Sequence, residues 1–109
     1  MRLTELEPRF CKIVDASTFI GEGVPMAQAD GLLFLCPKCF KANKGPVGTH
    51  SVLCWKPHVP QTMSPKPGRW NITGTGFHDL SLVAGSSSVK LMGGCNWHGH
   101  VTKGEVTGA

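Results

Sequence analysis

The sequence contains no long hydrophobic run, and this absence excludes a helical membrane protein. None of its apolar stretches approaches the length of about 18 to 20 residues that a membrane-spanning helix needs. The first nine residues carry charges where a secretory signal peptide has its apolar segment. We therefore expect a protein that remains in the compartment where it is made.

Acidic residues and arginines are also scarce. None of the seven Asp and Glu residues stands in a zinc-hydrolase pattern, and the His-x-Glu signature of the nucleobase deaminases is absent. We therefore predict no enzyme, with an uncharacterised metalloenzyme as the alternative. The three arginines, Arg2, Arg9 and Arg69, are few for a protein that reads bases. This argues against sequence-specific DNA recognition.

Glycine and proline, by contrast, make up about a fifth of the chain, with 14 and 8 residues out of 109. Such a composition predicts many turns and few long helices. Short helical turns are possible near residues 4–11 and 26–29. Apolar or alternating segments predict strands at 31–35, 50–55, 69–73 and 86–92, with a patch at 80–83 and a hairpin within 97–106.

These segments predict an all-β fold. We expect one compact domain over residues 1–109, with five or six short antiparallel strands in a zinc-ribbon-like arrangement. Helical structure is expected only as short turns near the N-terminus. Residues 1–30 are expected to form a loop-rich segment that packs on this domain.

Five cysteines, an odd number without a secretory signal, favour metal binding over disulfides. Cys36 and Cys39 form a Cys-x-x-Cys turn after one predicted strand, and Cys95 and His98 form a Cys-x-x-His turn after another. Because each turn aims two ligand atoms at one point, we predict that these four residues hold a structural Zn²⁺ in a closed tetrahedral site. Thiolates and imidazole disfavour Mg²⁺ and Ca²⁺.

Alternatives to this ligand set stay open. Cys54 and His58 could replace the second pair, although Cys54 lies in an apolar run and suits the core equally well, as does Cys11. His100 could replace His98, because alternation along a strand points both side chains to the same face. A redox role for the Cys-x-x-Cys turn is disfavoured, since that motif normally opens a helix and residues 41–46 read as a loop.

Several segments together resemble a known family. They are LFLCPKC over 33–39, THSVLCW over 49–55, GRWNITGTG over 68–76, DLSLVAGSSS over 79–88 and GCNWHG over 94–99. In this order they are similar to a family of small phage and prophage zinc-binding proteins of unknown function, which are often labelled ammonia monooxygenase. The similar region, 31–106, covers about 70% of the chain.

The resemblance implies a phage origin, with location in the cytoplasm of the bacterial host or in the virion. It also implies that Cys95 and His98 are ligands in preference to Cys54 and His58. His100 stands where relatives have an aromatic residue. The resemblance implies no activity.

Partner binding is the function that these observations favour. We predict a non-enzymatic interaction module for a host factor, a defence component or another phage protein, with a virion accessory role as an alternative. A second alternative is weak nucleic-acid binding through Lys38, Lys41 and Lys44, because lysines around an aromatic residue can contact phosphates and stack a base. The three tryptophans are expected in the core, or as partner anchors if exposed.

Overall fold

The computed structural model describes residues 1–15, 18–21, 23–64, 68–83, 88–90 and 95–108. Within them lie two short 3-10 turns, Leu3–Leu6 and Met26–Gln28, one α-helix and nine strands. The helix and strands are, in chain order, β1 Arg9–Asp15, β2 Thr18–Ile20, β3 Gly31–Leu35, α1 Pro37–Asn43, β4 Ser51–Trp55, β5 Asn71–Thr73, β6 Ser81–Val83, β7 Ser88–Lys90, β8 His98–Thr102 and β9 Glu105–Gly108.

The largest sheet has four antiparallel strands in the order β2-β1-β3-β4. Strand β3 lies in its centre and is buried on both faces except at Leu33, as its continuous apolar sequence predicts. Gly31 begins β3 between Cys11 of β1 and Trp55 of β4. A Cβ atom at this position would lie 2.7 Å from the Cys54 carbonyl oxygen. Glycine therefore permits the three strands to approach one another here.

A three-stranded sheet, β7-β8-β9, and the two-stranded pair β5-β6 complete the β-structure that is described. The β8–β9 hairpin turns at Lys103 and Gly104, both with positive φ, as a two-residue hairpin of the primed type requires. The Gly104 amide donates to the Leu80 carbonyl at 2.8 Å, beside β6. Val106 of β9 exchanges main-chain hydrogen bonds with Met1, which therefore extends this sheet at its edge.

The main hydrophobic core unites residues of all three sheets. It contains Leu32 and Phe34 of β3, Leu82 of β6 and Val101 of β8, all nearly or fully buried. All three tryptophans are buried, Trp55 in a smaller cluster with Cys11 and the other two in the main core, which confirms the expected core role. The radius of gyration is 12.9 Å, close to the value of about 13 Å expected for a single domain of this length.

The all-β class is confirmed, but two local predictions were wrong. The N-terminal segment expected to be loop-rich contributes β1 and β2, including Phe10 and Cys11, whose side chains are buried. The predicted loop after Cys39 is instead α1, a seven-residue helix. Pro37 suits its first position, and Lys44 ends it in the left-handed conformation.

The 3-10 turn Met26–Gln28 lies where a helical turn was expected. Of the strand predicted at 86–92, residues 88–90 form β7, and the rest lies outside the described residues. In the part of the chain that the structure describes, no helix is long and apolar enough to cross a bilayer.

Candidate metal centre

Four side chains with metal-binding atoms converge where β3 ends and β4 begins. They belong to Cys36, Cys39, His50 and Cys95, and their ligand atoms all lie within 4.8 Å of one another. Cys36 is buried, Cys39 and Cys95 are half-buried, and His50 is exposed. The group thus has one side in the protein interior and one side in solvent, and it can bind a metal ion.

The pairing of β3 with β4 brings Cys36 and His50 together. Leu35 lies opposite Ser51 in the register of these two strands. The next pair outward along the same ladder is Cys36 and His50, and the Cys36 amide donates to the His50 carbonyl at 2.8 Å. The main chain therefore holds these two residues side by side directly after β3 and directly before β4.

The first turn directs its main-chain amides at the Cys36 sulfur. The N–H groups of Lys38 and Cys39 both donate to Cys36 Sγ, and the Phe40 amide donates to the Cys36 carbonyl at 2.9 Å in the first turn of α1. Amides in this position stabilise a thiolate. Cys39, three residues further along, lies in the first turn of the helix and presents its sulfur to the same point.

The second turn repeats this arrangement on the other side of the site. The Trp97 amide donates to Cys95 Sγ, two residues along the chain, as the Lys38 amide does for Cys36. The two turns are also joined directly, because Lys38 Nζ donates to the Cys95 carbonyl at 2.9 Å. Cys95 Sγ lies 3.3 Å from Cys36 Sγ and 3.2 Å from His50 Nε2.

The pKa values of the neighbouring thiols of Cys95 and Cys36 are shifted in opposite directions. Partial desolvation raises the pKa of Cys95, but hydrogen bonds donated by His50 and Cys36 outweigh it and lower the pKa to about 6. Burial raises the pKa of Cys36 to about 11, and its hydrogen bond to Cys95 adds to the rise. Cys95 is therefore the first of the pair to ionise, with the Cys36 thiol as one of its donors. A cation at the centre would favour the thiolate form of every cysteine in the group.

The structure differs from the sequence-based ligand set in its fourth member. His98, predicted as the ligand beside Cys95, is the first residue of β8, has an exposed side chain, and lies outside the group of converging atoms. Its ring and that of His100 are 6.4 Å apart, in keeping with the expected common face. His50 takes the place predicted for His98. The physical reason is strand alternation, because Trp97 points into the core and the next residue points away from it.

The alternative pair is not brought to this site either. Cys54 is fully buried, and burial raises the pKa of its thiol. His58 instead lies beside Asp30, with Nε2 2.7 Å from Oδ1, and this contact contributes to lowering the Asp30 pKa. Cys11 of β1 is buried in the smaller cluster with Trp55 of β4. Burial raises the pKa of its thiol to about 12. Core roles for Cys11 and Cys54 are thus confirmed.

The basic residues around the first turn lie on the surface. Lys38, Lys41 and Lys44 are all exposed, with Lys38 held against Cys95 as described and Lys44 at the end of α1. Phe40 is half-buried and packs against the main core. It therefore contributes to the protein interior.

Comparison of the chain with protein-family models, with curated proteins and with solved structures gives no match in any of the three. The assignment of this site accordingly depends on its own geometry and chemistry.

Proposed function

We propose that this protein binds one structural Zn²⁺ through Cys36, Cys39, His50 and Cys95. The observation that carries the proposal is the convergence of these four donor atoms within 4.8 Å. Three thiolates and one imidazole are a typical ligand set for structural zinc, and soft sulfur ligands select against Mg²⁺ and Ca²⁺.

The distances fit an ion of this kind. Zn–S bonds of about 2.3 Å in a tetrahedron place sulfur atoms about 3.8 Å apart. The sulfurs of Cys36 and Cys95 are 3.3 Å apart, so a separation of about half an ångström more would give the tetrahedral geometry. Main-chain amides donate hydrogen bonds to the sulfurs of Cys36 and Cys95. Such hydrogen bonds orient metal ligands and stabilise thiolates, which further supports the site.

The proposed role of the ion is to hold distant parts of the chain together. Cys36 and Cys95 are 59 residues apart, the first at the end of β3 in the main sheet and the second just before β8 in the other sheet. Four protein ligands complete a tetrahedral shell and leave no position for a reacting water molecule. This favours a structural over a catalytic role.

Metal analysis of two cysteine variants tests the proposal. We expect the purified protein to contain one equivalent of zinc, Cys95→Ser to lose it, and Cys54→Ser to retain it despite some loss of stability. Cys54→Ser is the matched control, because it makes the same substitution at a fully buried cysteine outside the site. Chelation should lower the thermal midpoint, since metal binding is linked to folding. Full zinc content in Cys95→Ser would contradict the ligand set.

A second candidate function is thiol–disulfide exchange. It gains support from α1, because Cys36 and Cys39 do stand at the start of a helix, as redox-active pairs do. Alkylation before and after chelation distinguishes the two functions. In the zinc protein all three site cysteines should be protected until the metal is removed, whereas an exchange pair would react without chelator. We favour zinc because a histidine and a third cysteine converge on the same point.

We further propose that the zinc-stabilised domain acts by binding a partner protein and not by catalysis. The phage origin, the location in host cytoplasm or virion, and the virion accessory role remain predictions from the family resemblance. Weak nucleic-acid binding by Lys38, Lys41 and Lys44 remains the alternative. The exposed position of these three lysines permits it.

A further inference from the structure

A pocket of about 350 Å³ lies beside the metal centre, between α1 and the edge of the three-stranded sheet. Its apolar lining comes from Pro37, Trp97 and Val106. Lys38 and Lys41, both exposed, line it on the α1 side. This volume is within the range of about 300–1,000 Å³ that is usual for ligand sites.

The other side of the pocket is a strand edge, formed by β9 and Met1. Val106 directs its main-chain N–H and C=O outward, since both pair with Met1. Alternation along β9 gives Gly108, two residues further on, the same outward direction. Gly108 also lines the pocket. The outer edge of β9 thus pairs with Met1 at Val106. At Gly108 the main-chain N–H and C=O groups of the same edge point toward the pocket.

The charge of the pocket lining is positive. Lys38 and Lys41 form no ion pair with any residue in the described part of the chain. The Met1 ammonium is partly balanced by Glu105, 3.6 Å away. An occupant with carboxylate groups would therefore complement the two lysines.

We propose that this pocket binds an acidic, extended peptide segment of a partner protein. The segment pairs its main chain with Gly108 at the edge of β9 and places its carboxylates at Lys38 and Lys41, in the manner of strand addition. This inference rests on the proposed function as a protein-binding module and names the chemistry of the partner.

The lining favours a peptide over a nucleic acid. Trp97 is only 6% exposed, so it does not offer the open ring face on which a base would stack. Among the described residues, none pairs with the outward main-chain groups of Gly108, and a strand edge of this kind serves a peptide directly. If nucleic acid were the ligand, all three lysines around α1 would contribute, including Lys44, which does not line the pocket.

Selection from a pool of random short peptides with the zinc-loaded protein tests the proposal. We expect enrichment of sequences in which Asp or Glu alternates with apolar residues. Fluorescence anisotropy with an enriched peptide should then show about fivefold weaker binding for Lys41→Glu, because an attractive charge becomes a repulsive one. Lys44→Glu, the same charge change outside the pocket, should bind as the unchanged protein does. Added salt should weaken binding.

Two variants of Gly108 test the strand edge. Gly108→Ala keeps the N–H donor, and its Cβ atom would meet no other protein atom within 4 Å, so it should bind more tightly than the proline variant. Gly108→Pro lacks the N–H donor and should lose most of the binding. Equal binding by both would overturn the proposed pairing.

Two further results would overturn the proposal as a whole. One is a selection that yields no acidic peptides. The other is binding of oligothymidylate that Lys41→Glu and Lys44→Glu weaken equally, which would identify a nucleic-acid surface. Zinc content is measured in every sample. Failure of the pocket with full zinc is thereby distinguished from failure of the zinc site itself.

Discussion

Replacing His50 by alanine should weaken zinc binding by about 10²- to 10³-fold, whereas His98→Ala should change it by only about twofold. Structural zinc sites bind with about 10–16 kcal/mol, so one ligand of four contributes roughly 2.5–4 kcal/mol. With about 1.4 kcal/mol for each factor of ten, this gives the stated loss. His98 is exposed in β8 and outside the converging group, and such surface changes stay within about 0.5 kcal/mol.

Competition with a chromophoric chelator measures both affinities. The two variants are matched, because each removes an exposed imidazole at or near the start of a strand. His50→Cys supplies a second control, since a fourth thiolate also makes a good zinc ligand. It should restore most of the affinity, which a purely structural role for His50 would not predict. If His98→Ala lost zinc and His50→Ala retained it, the ligand set proposed from the structure would be refuted.

Two other predictions concern the metal-free protein and the hairpin. In the metal-free protein Cys95 should be alkylated from about pH 6 upward, because hydrogen bonds from His50 and Cys36 outweigh desolvation and lower its pKa from 9.0 to about 6. The Cys95 thiolate should therefore contribute its full stabilisation of the metal-free fold above pH 9, and this contribution should be lost as the pH falls through 6. Urea titrations at several pH values measure it. Alkylation that begins only near pH 9 would contradict the lowered pKa and this pH dependence of stability. Gly104→Ala should destabilise the protein by about 1–3 kcal/mol in thermal unfolding, because its φ is positive and the added Cβ would collide with the His78 carbonyl, whereas Gly108→Ala should have little effect.

Three of the four proposed ligands could be predicted from the sequence because they lie in short turns with the spacing typical of metal-binding pairs. Cys36 and Cys39 share one turn, and Cys95 begins the other. The fourth proposed ligand, His50, has no such local partner, since it comes to the site through the pairing of β3 with β4. Both strands were predicted. Pairing them as antiparallel neighbours would have placed His50 beside Cys36.

The elements missed at residues 9–20 and 37–43 have different physical causes. Strand β1 lies immediately after Pro8 and has only a short run of buried positions, at Phe10 and Cys11, so its pattern is weak on its own. It becomes a strand because β3 offers it a partner. Helix α1 mixes good helix formers, Lys38, Lys41 and Ala42, with weak ones such as Cys39 and Asn43, and it ends after seven residues. Its stability therefore comes from docking, including that of Phe40 on the core.

The metal centre and the hydrophobic core meet at a pair of aromatic rings. Phe34 precedes Cys36 by two positions along the extended chain, so their side chains share one side of it. Trp97 follows Cys95 by two positions across a turn, in which Asn96 has a φ of 53°. The two rings meet edge to face, 6.2 Å apart, a favourable geometry for aromatic pairs. This contact joins β3 to the segment before β8, the same two parts of the chain that carry Cys36 and Cys95. An ion bound by the two sulfurs would therefore hold together the same two parts of the chain as the aromatic pair does.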